Sequence, residues 1–209
     1  MAAAYSITTS GDKFASSREQ FESIVASLES PAALRMSHAE LEDHLTREGR
    51  ELQRRLLQEH LDLKSGAEVR LPAVEGSDGI RRQEARVLPI GLGSVFGGVR
   101  VGRIVYQGVG VAGLAPMDAV LNLPTGYYSY GIRKLVAEHA AKDSFEEVVA
   151  EVQSITGTTV HKRQVEALAI AAAVDFDEFY ALWPVEHAEL VPWAHIALSL
   201  DGKGIVTRR

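Results

Sequence analysis

Gly93-Ser-Val-Phe-Gly-Gly-Val-Arg-Val-Gly-Arg-Ile-Val-Tyr-Gln107 is the stretch on which the fold class turns. Val99, Val101, Ile104 and Tyr106 are β-formers spaced for a pleated surface, and the strict alternation breaks at Gly102. The stretch reads as a hairpin bending at Gly97-Gly98, with one or two strands and a bulge near Gly102. Gly97-Gly98 lacks the strand–loop–helix spacing of a nucleotide fingerprint or a P-loop, so these glycines mark a turn. Upstream, Arg81, Arg82 and Arg86 accompany a further strand through Val87-Leu88-Pro89-Ile90. Together with Arg100 and Arg103 in the hairpin itself, they put arginines on a small antiparallel sheet, where Arg81, Arg82, Arg100 and Arg103 are candidate DNA contacts.

Helical patterns flank this β region on both sides. From Asp12 to Leu28 the apolar positions Phe14, Phe21, Ile24, Val25 and Leu28 share one helical face, and Pro31 ends the run. Ser37-His-Ala-Glu40 has capping-box spacing and opens a longer helix with Leu41, Leu45, Leu52, Leu56 and Leu57 as its stripe, ending at Ser65-Gly66. Arg47, Arg50, Arg54 and Arg55 on that helix read as a solvated face paired with Glu48, Glu51 and Glu59. Beyond the hairpin, Pro116–Pro124 is a short helix or turn bounded by prolines. Ser129 caps a helix to about Ala141 with Ile132, Leu135, Val136 and His139 inside, His139 as a packing residue.

The segment from Asp143 holds the chain's best supersecondary signal. Ser144 and Glu147 form a second capping box, with Phe145, Val148, Val149 and Val152 as a short apolar stripe. Gly157 breaks this helix, Thr158 or Thr159 is positioned to cap the next, and Val160, Val165, Leu168 and Ala169 line it. Two short helices around a Gly turn make a helix-turn-helix-like unit. His161, Lys162, Arg163 and Gln164 then occupy the turns that enter a major groove: Arg163 and Gln164 suit guanine and adenine edges, and Lys162 suits a phosphate. A helical hairpin with a narrow basic island between acidic neighbours is equally compatible with these residues. Phe176, Phe179, Tyr180 and Trp183 read as core of a continuing helix that ends at Pro184.

At the C-terminal end, Ile196, Leu198 and Leu200 alternate with Ala197, Ser199 and Asp201, the pattern of a half-buried strand closed by Gly202 and Gly204. Asp201 is eight residues from the last residue, Arg209. As a metal-binding carboxylate it would need partner acids that two-metal phosphoryl transfer requires and that no later strand supplies. The expected fold class is therefore α+β, mostly α-helical, with a small antiparallel sheet in the middle and a terminal strand resembling the first strand of a truncated ribonuclease-H-like core. Expected boundaries are a loose tail over 1–10, a helical region over 11–66, the β region over 67–124, a second helical region over 125–184, and the start of the catalytic domain over 185–209.

Composition restricts the function classes. The 209 residues are 46% hydrophobic and 24% charged, with a formal net charge of −6, so any DNA contact must come from local basic patches rather than bulk attraction. The absence of cysteine excludes disulfides, thiolate zinc sites and cysteine nucleophiles, and fits a cytoplasmic protein. No signal-peptide pattern and no run of about 18 apolar residues is present, so neither secretion nor a membrane span is expected.

Phe21-Glu22 through Leu28, Met36–Glu42, Arg55–Asp62, Gly93–Arg103, Pro116–Pro124, Tyr128-Ser129, Ser144-Phe145, Thr156-Gly157 and Asp201-Gly-Lys-Gly204 together resemble, in order, bacterial insertion-sequence transposases of the Kra-four family, which belong to the DDE class. The resemblance implies the N-terminal region of a longer enzyme that uses Mg²⁺, with Asp201 as the first catalytic acid and metal ligand. The second aspartate and the glutamate have no counterparts, so the chain by itself is expected to be inactive in strand transfer. The implied role is recognition of transposon-end DNA, as a homodimer or paired with the full-length transposase. The competing expectation is a regulatory module that pairs with the longer protein and has no DNA affinity of its own. An intact enzyme with an unrelated site finds no nucleophile–base pair or phosphate loop in support.

Overall fold

The computed structural model describes residues 11–174; the tail over 1–10, the aromatic segment from Phe176, the expected terminal strand and Asp201 lie outside the described residues. All elements below belong to the first of two units, which ends at Ala172. The architecture is α+β, about half helical, with small antiparallel sheets.

Helix α1 (Ala15–Leu28) is followed by a single 3-10 turn at Ala33–Arg35 and by α2 (His38–Ala67), the longest element. The capping box at the start of α2 is formed: the Ser37 hydroxyl accepts from the Glu40 N–H, and the Glu40 carboxylate accepts from the Ser37 N–H at 2.7 Å. Helix α1 has no such device, because Phe14 precedes it. Glu59 of α2 takes over that role, accepting from the backbone N–H of Ser16 at 2.8 Å and of Ser17 at 3.2 Å, and from the Ser17 hydroxyl. A helix start leaves orphan N–H groups, and a carboxylate satisfies them while complementing the helix dipole. The seam continues through Gln20 to Glu48 and Ser27 to His44. It is therefore polar: Ser17 and Gln20 are the buried residues of α1, whereas Phe21, expected inside, is half exposed.

The β region opens with two short strands, β1 (Val74–Glu75) and β2 (Arg81–Arg82), paired antiparallel. Strand β3 (Glu84–Val87) pairs with β6 (Ile104–Gly108), which also pairs with β7 (Val111–Leu114). Between them the hairpin of β4 (Ile90–Ser94) and β5 (Gly97–Val101) is present as its own sheet. Its turn is Val95-Phe96 rather than Gly97-Gly98: Ser94 pairs with Gly97 and Gly93 with Gly98. Gly97 has φ +120°, the left-handed requirement that put a glycine beside the turn. Gly102 is part of a two-residue link to β6, and the register irregularity lies between Tyr106 and Gly108, opposite β7.

One core forms where α2 crosses the hairpin: Leu61, Leu92, Val99, Val101 and Met117 are buried there, Met117 from the short α3 (Pro116–Val120). Side chains of α2 also substitute for a missing strand partner. The Gln58 carboxamide accepts from the Arg100 N–H at 2.8 Å and donates to the Arg100 carbonyl at 2.9 Å, and the Glu68 carboxylate accepts from the Ile104 N–H at 2.7 Å. These bonds answer backbone groups on a strand edge that would otherwise be left without partners.

The second core is built by α4 (Tyr130–Ala140), α5 (Phe145–Thr156) and α6 (Lys162–Ala172). Ile132, Val136, Val148, Val152, Val160 and Val165 are fully buried in it. Ser129 caps α4 and the Ser144–Glu147 box caps α5, as their spacing predicts. Gly157 closes α5 at φ +70°. Neither Thr158 nor Thr159 caps α6: the first bonds of that helix go to the His161 carbonyl, and the Thr158 hydroxyl instead donates to the Ser94 carbonyl at 2.8 Å. That bond, with Val95 packed against the helical core, joins the hairpin turn to the three helices. Among the described residues, no helix is long and apolar enough to cross a membrane.

Candidate nucleic-acid interface

The first turn of α6 is presented to solvent by a rigid base. Val165 anchors it inside the second core, and the α5–α6 connection is tied to Ser94 through Thr158. Arg50 of α2 braces the far end of α5, its Nη2 donating to the carbonyls of Ser154 and Ile155, both at 3.0 Å. A guanidinium at a helix C-terminus satisfies orphan carbonyls and opposes the negative end of the dipole. Arg50 thus leaves the solvated face expected of it.

On this base His161, Lys162, Arg163 and Gln164 are all exposed. The Lys162 Nζ lies 2.6 Å from a carboxylate oxygen of Glu146 in the first turn of α5, and this ammonium holds the Glu146 carboxyl below its ordinary range. The side chains of Arg163, His161 and Gln164 have no hydrogen-bond or ion-pair partner among the described residues. The placement is locally unfavourable for α6: cations at a helix N-terminus face the positive end of the dipole, and the first turn of α6 contains no acid. The same two helices also carry exposed acids, Glu147 and Glu151 on α5 and Glu166 on α6.

The other arginines expected at an interface separate into two kinds. Arg82 is 2% exposed; its guanidinium is bidentate to Asp78, at 3.1 Å and 2.6 Å, and also donates to the carbonyls of Ile80 and Ala112 at 2.8 Å. Hydrogen bonds from Arg82, helped by the Ile80 N–H, hold Asp78 at about 2. Arg82 organises the β1–β2 turn with four of its five N–H donors and is buried away from any phosphate. Arg103, with its side chain 17% exposed, pairs with Asp118 of α3 at 3.1 Å. Burial pushes the Asp118 carboxyl up against the pull of Arg103, and Arg103 Nε and Asp118 Oδ1 are buried without a partner. Arg81 and Arg100 remain exposed.

On α2, Glu51 gathers Arg54, at 2.7 Å, and Arg55, at 2.9 Å, and their hydrogen bonds, that of Arg54 foremost, hold its carboxyl at about 2. Glu59, expected among the surface ion pairs, is the acceptor at the start of α1. Among the described residues, no group of three His, Asp or Glu is placed to hold a metal ion. The residue expected to ligate Mg²⁺, Asp201, lies outside them.

No family model, curated protein or solved structure matches this chain. A second surface feature, which no sequence motif announces, is Tyr127, whose ring lies over Gly91, Gly93 and Gly98 on the outward face of the hairpin. The alternation of glycines with Leu92 and Val99 was the available signal, since a strand face emptied of side chains admits an aromatic ring.

Proposed function

We propose that the chain is the DNA-recognition and assembly part of a DDE-type transposase, with α4, α5 and α6 acting as a helix-turn-helix-like unit on transposon-end duplex. The observation that carries this reading is the first turn of α6, where exposed cations stand against the helix dipole without a structural partner for Arg163. Residue choices that oppose local stability are expected where function selects them. In this arrangement the start of α6 enters the major groove, Arg163 and Gln164 face base edges, and His161 and Lys162 lie toward the backbone. Strand-transfer chemistry and its Mg²⁺ are assigned outside residues 11–174.

Titration of labelled terminal-repeat duplex at two salt concentrations tests it. Arg163→Ala should weaken binding by about 1–3 kcal/mol and relax base preference, while Lys162→Ala should weaken all duplexes alike and lower the salt slope by about one. If both variants bind like the parent, α6 is not the reader. The alternative, a module that pairs with a longer transposase, is favoured by one observation: Phe21, Leu45 and Leu56 are exposed on α1 and α2. It requires co-purification with the longer protein and no salt-sensitive duplex affinity.

A further inference from the structure

Strands β4 and β5 bury Leu92, Val99 and Val101 on one face, and period-two alternation puts Gly91, Gly93, Gly98 and Arg100 on the other. Gly93 pairs with Gly98, and Gly91 pairs with Arg100. The ring of Tyr127 occupies the space those glycines leave: a Cβ on Gly93 would stand 2.7 Å from the ring, and Cβ atoms on Gly91 and Gly98 would each lie 3.5 Å from Tyr127 atoms. The backbone holds the ring there, with the Gly93 N–H donating to the Tyr127 carbonyl at 2.7 Å and the Ser129 N–H to the Gly93 carbonyl at 2.9 Å. Tyr128 packs edge-on against the ring, centroids 5.1 Å apart. Tyr127 is nevertheless 50% exposed.

Beside the ring is a depression of about 410 Å³ lined by Arg54, Gln58, Gly91, Gly98, Val99, Arg100 and Tyr127. Its lining contains two arginines and no carboxylate, in a chain whose net charge is −6. Arg54 is committed to Glu51, and the Gln58 amide is committed to the Arg100 backbone. The Arg100 guanidinium has no partner among the described residues. A fixed aromatic ring open to solvent, next to a free guanidinium, matches a nucleotide: the base stacks and the phosphate pairs with arginine.

We infer that the outward face of the β4–β5 hairpin binds an unpaired nucleotide of a single nucleic-acid strand, its base against Tyr127 and its phosphate at Arg100. The site uses no residue of α6, so it stands or falls independently of duplex recognition there. Stacking on one aromatic residue is worth about 1–3 kcal/mol, or roughly 5- to 150-fold in affinity, and tolerates any base.

The test is fluorescence anisotropy of a labelled single-stranded DNA oligonucleotide of mixed sequence with the full chain, run beside the terminal-repeat duplex. Tyr127→Phe should bind the strand like the parent. Tyr127→Ala should lose at least about fivefold. Arg100→Ala, whose side chain holds nothing in the fold, should weaken strand binding and reduce its salt slope by about 0.7. All three should keep the parent's duplex affinity, which Arg163→Ala should lower. Arg100→Ala binding the single strand with the parent's affinity and salt slope would overturn the inference whatever happens to the fold of Tyr127→Ala. So would a parent that does not bind the strand, or a nucleoside monophosphate that binds as tightly as the oligonucleotide. Failure of Arg163→Ala to affect duplex binding would count against the α6 reading and leave the hairpin site standing.

Discussion

Glu146 and Lys162 set the interface at the level of single side chains. Their ion pair is exposed on both sides and so contributes little to the fold, and the Glu146 carboxylate competes with a phosphate for the ammonium. Glu146→Gln should therefore tighten duplex binding by roughly 1.5- to 5-fold at low salt; an unchanged dissociation constant would take Lys162 off the phosphate path. Glu51 has the opposite kind of role, serving the fold alone. Its carboxyl is lowered from 4.5 to about 2 by the hydrogen bonds of Arg54 and Arg55. A lowered folded-state value means the group stabilises when ionised, so its contribution is complete above about pH 4.5 and is lost as the pH falls toward 2. The urea midpoint of the parent should decline through that window, and Glu51→Gln should decline less steeply.

Among the elements, the α5–α6 connection depends most on a single backbone choice. Gly157 holds φ +70°, and a Cβ there would stand 3.1 Å from Arg50 Nη1. Gly157→Ala should cost about 1–2 kcal/mol of stability from the left-handed backbone, read as a lowered melting temperature, with Gly157→Asn tolerated better. The same connection marks the boundary of what was legible beforehand. The Ser37–Glu40 and Ser144–Glu147 boxes, the Ser129 cap and the Gly157 stop were read correctly, because each is a local device whose partners lie within a few residues. The start of α6 was misplaced at Thr158 or Thr159 because Thr158 is claimed by Ser94, a partner 64 residues away. The same cause moved the apolar face of α1, where Glu59 and Glu48 draw Ser17 and Gln20 inward. Of the arginines expected at DNA, Arg163, Arg81 and Arg100 are free to serve. Arg82 and Arg103 are held by Asp78 and Asp118, pairings that depend on how short strands fold together and leave no trace in spacing.

At the scale of the whole described unit, two cores share connections that make them respond together. Val95 leaves the hairpin to pack on the helical core, Thr158 reaches back to Ser94, and α2 touches both through Leu61 and Arg50. Ile132→Ala in one core should cost about 2–5 kcal/mol, and Val101→Ala in the other should also destabilise; each should shift one shared transition. Far-ultraviolet dichroism and tyrosine fluorescence should then give coincident curves for both variants, and separate curves would make the cores independent. The pairing of α1 with Glu59 extends this dependence to the chain's beginning. The contact that satisfies the first N–H groups of residues 15–28 lies some forty positions downstream, so that segment takes its start from a neighbour instead of from its own letters. Trimming, fusion or rearrangement that parts the two segments removes the instruction along with the contact.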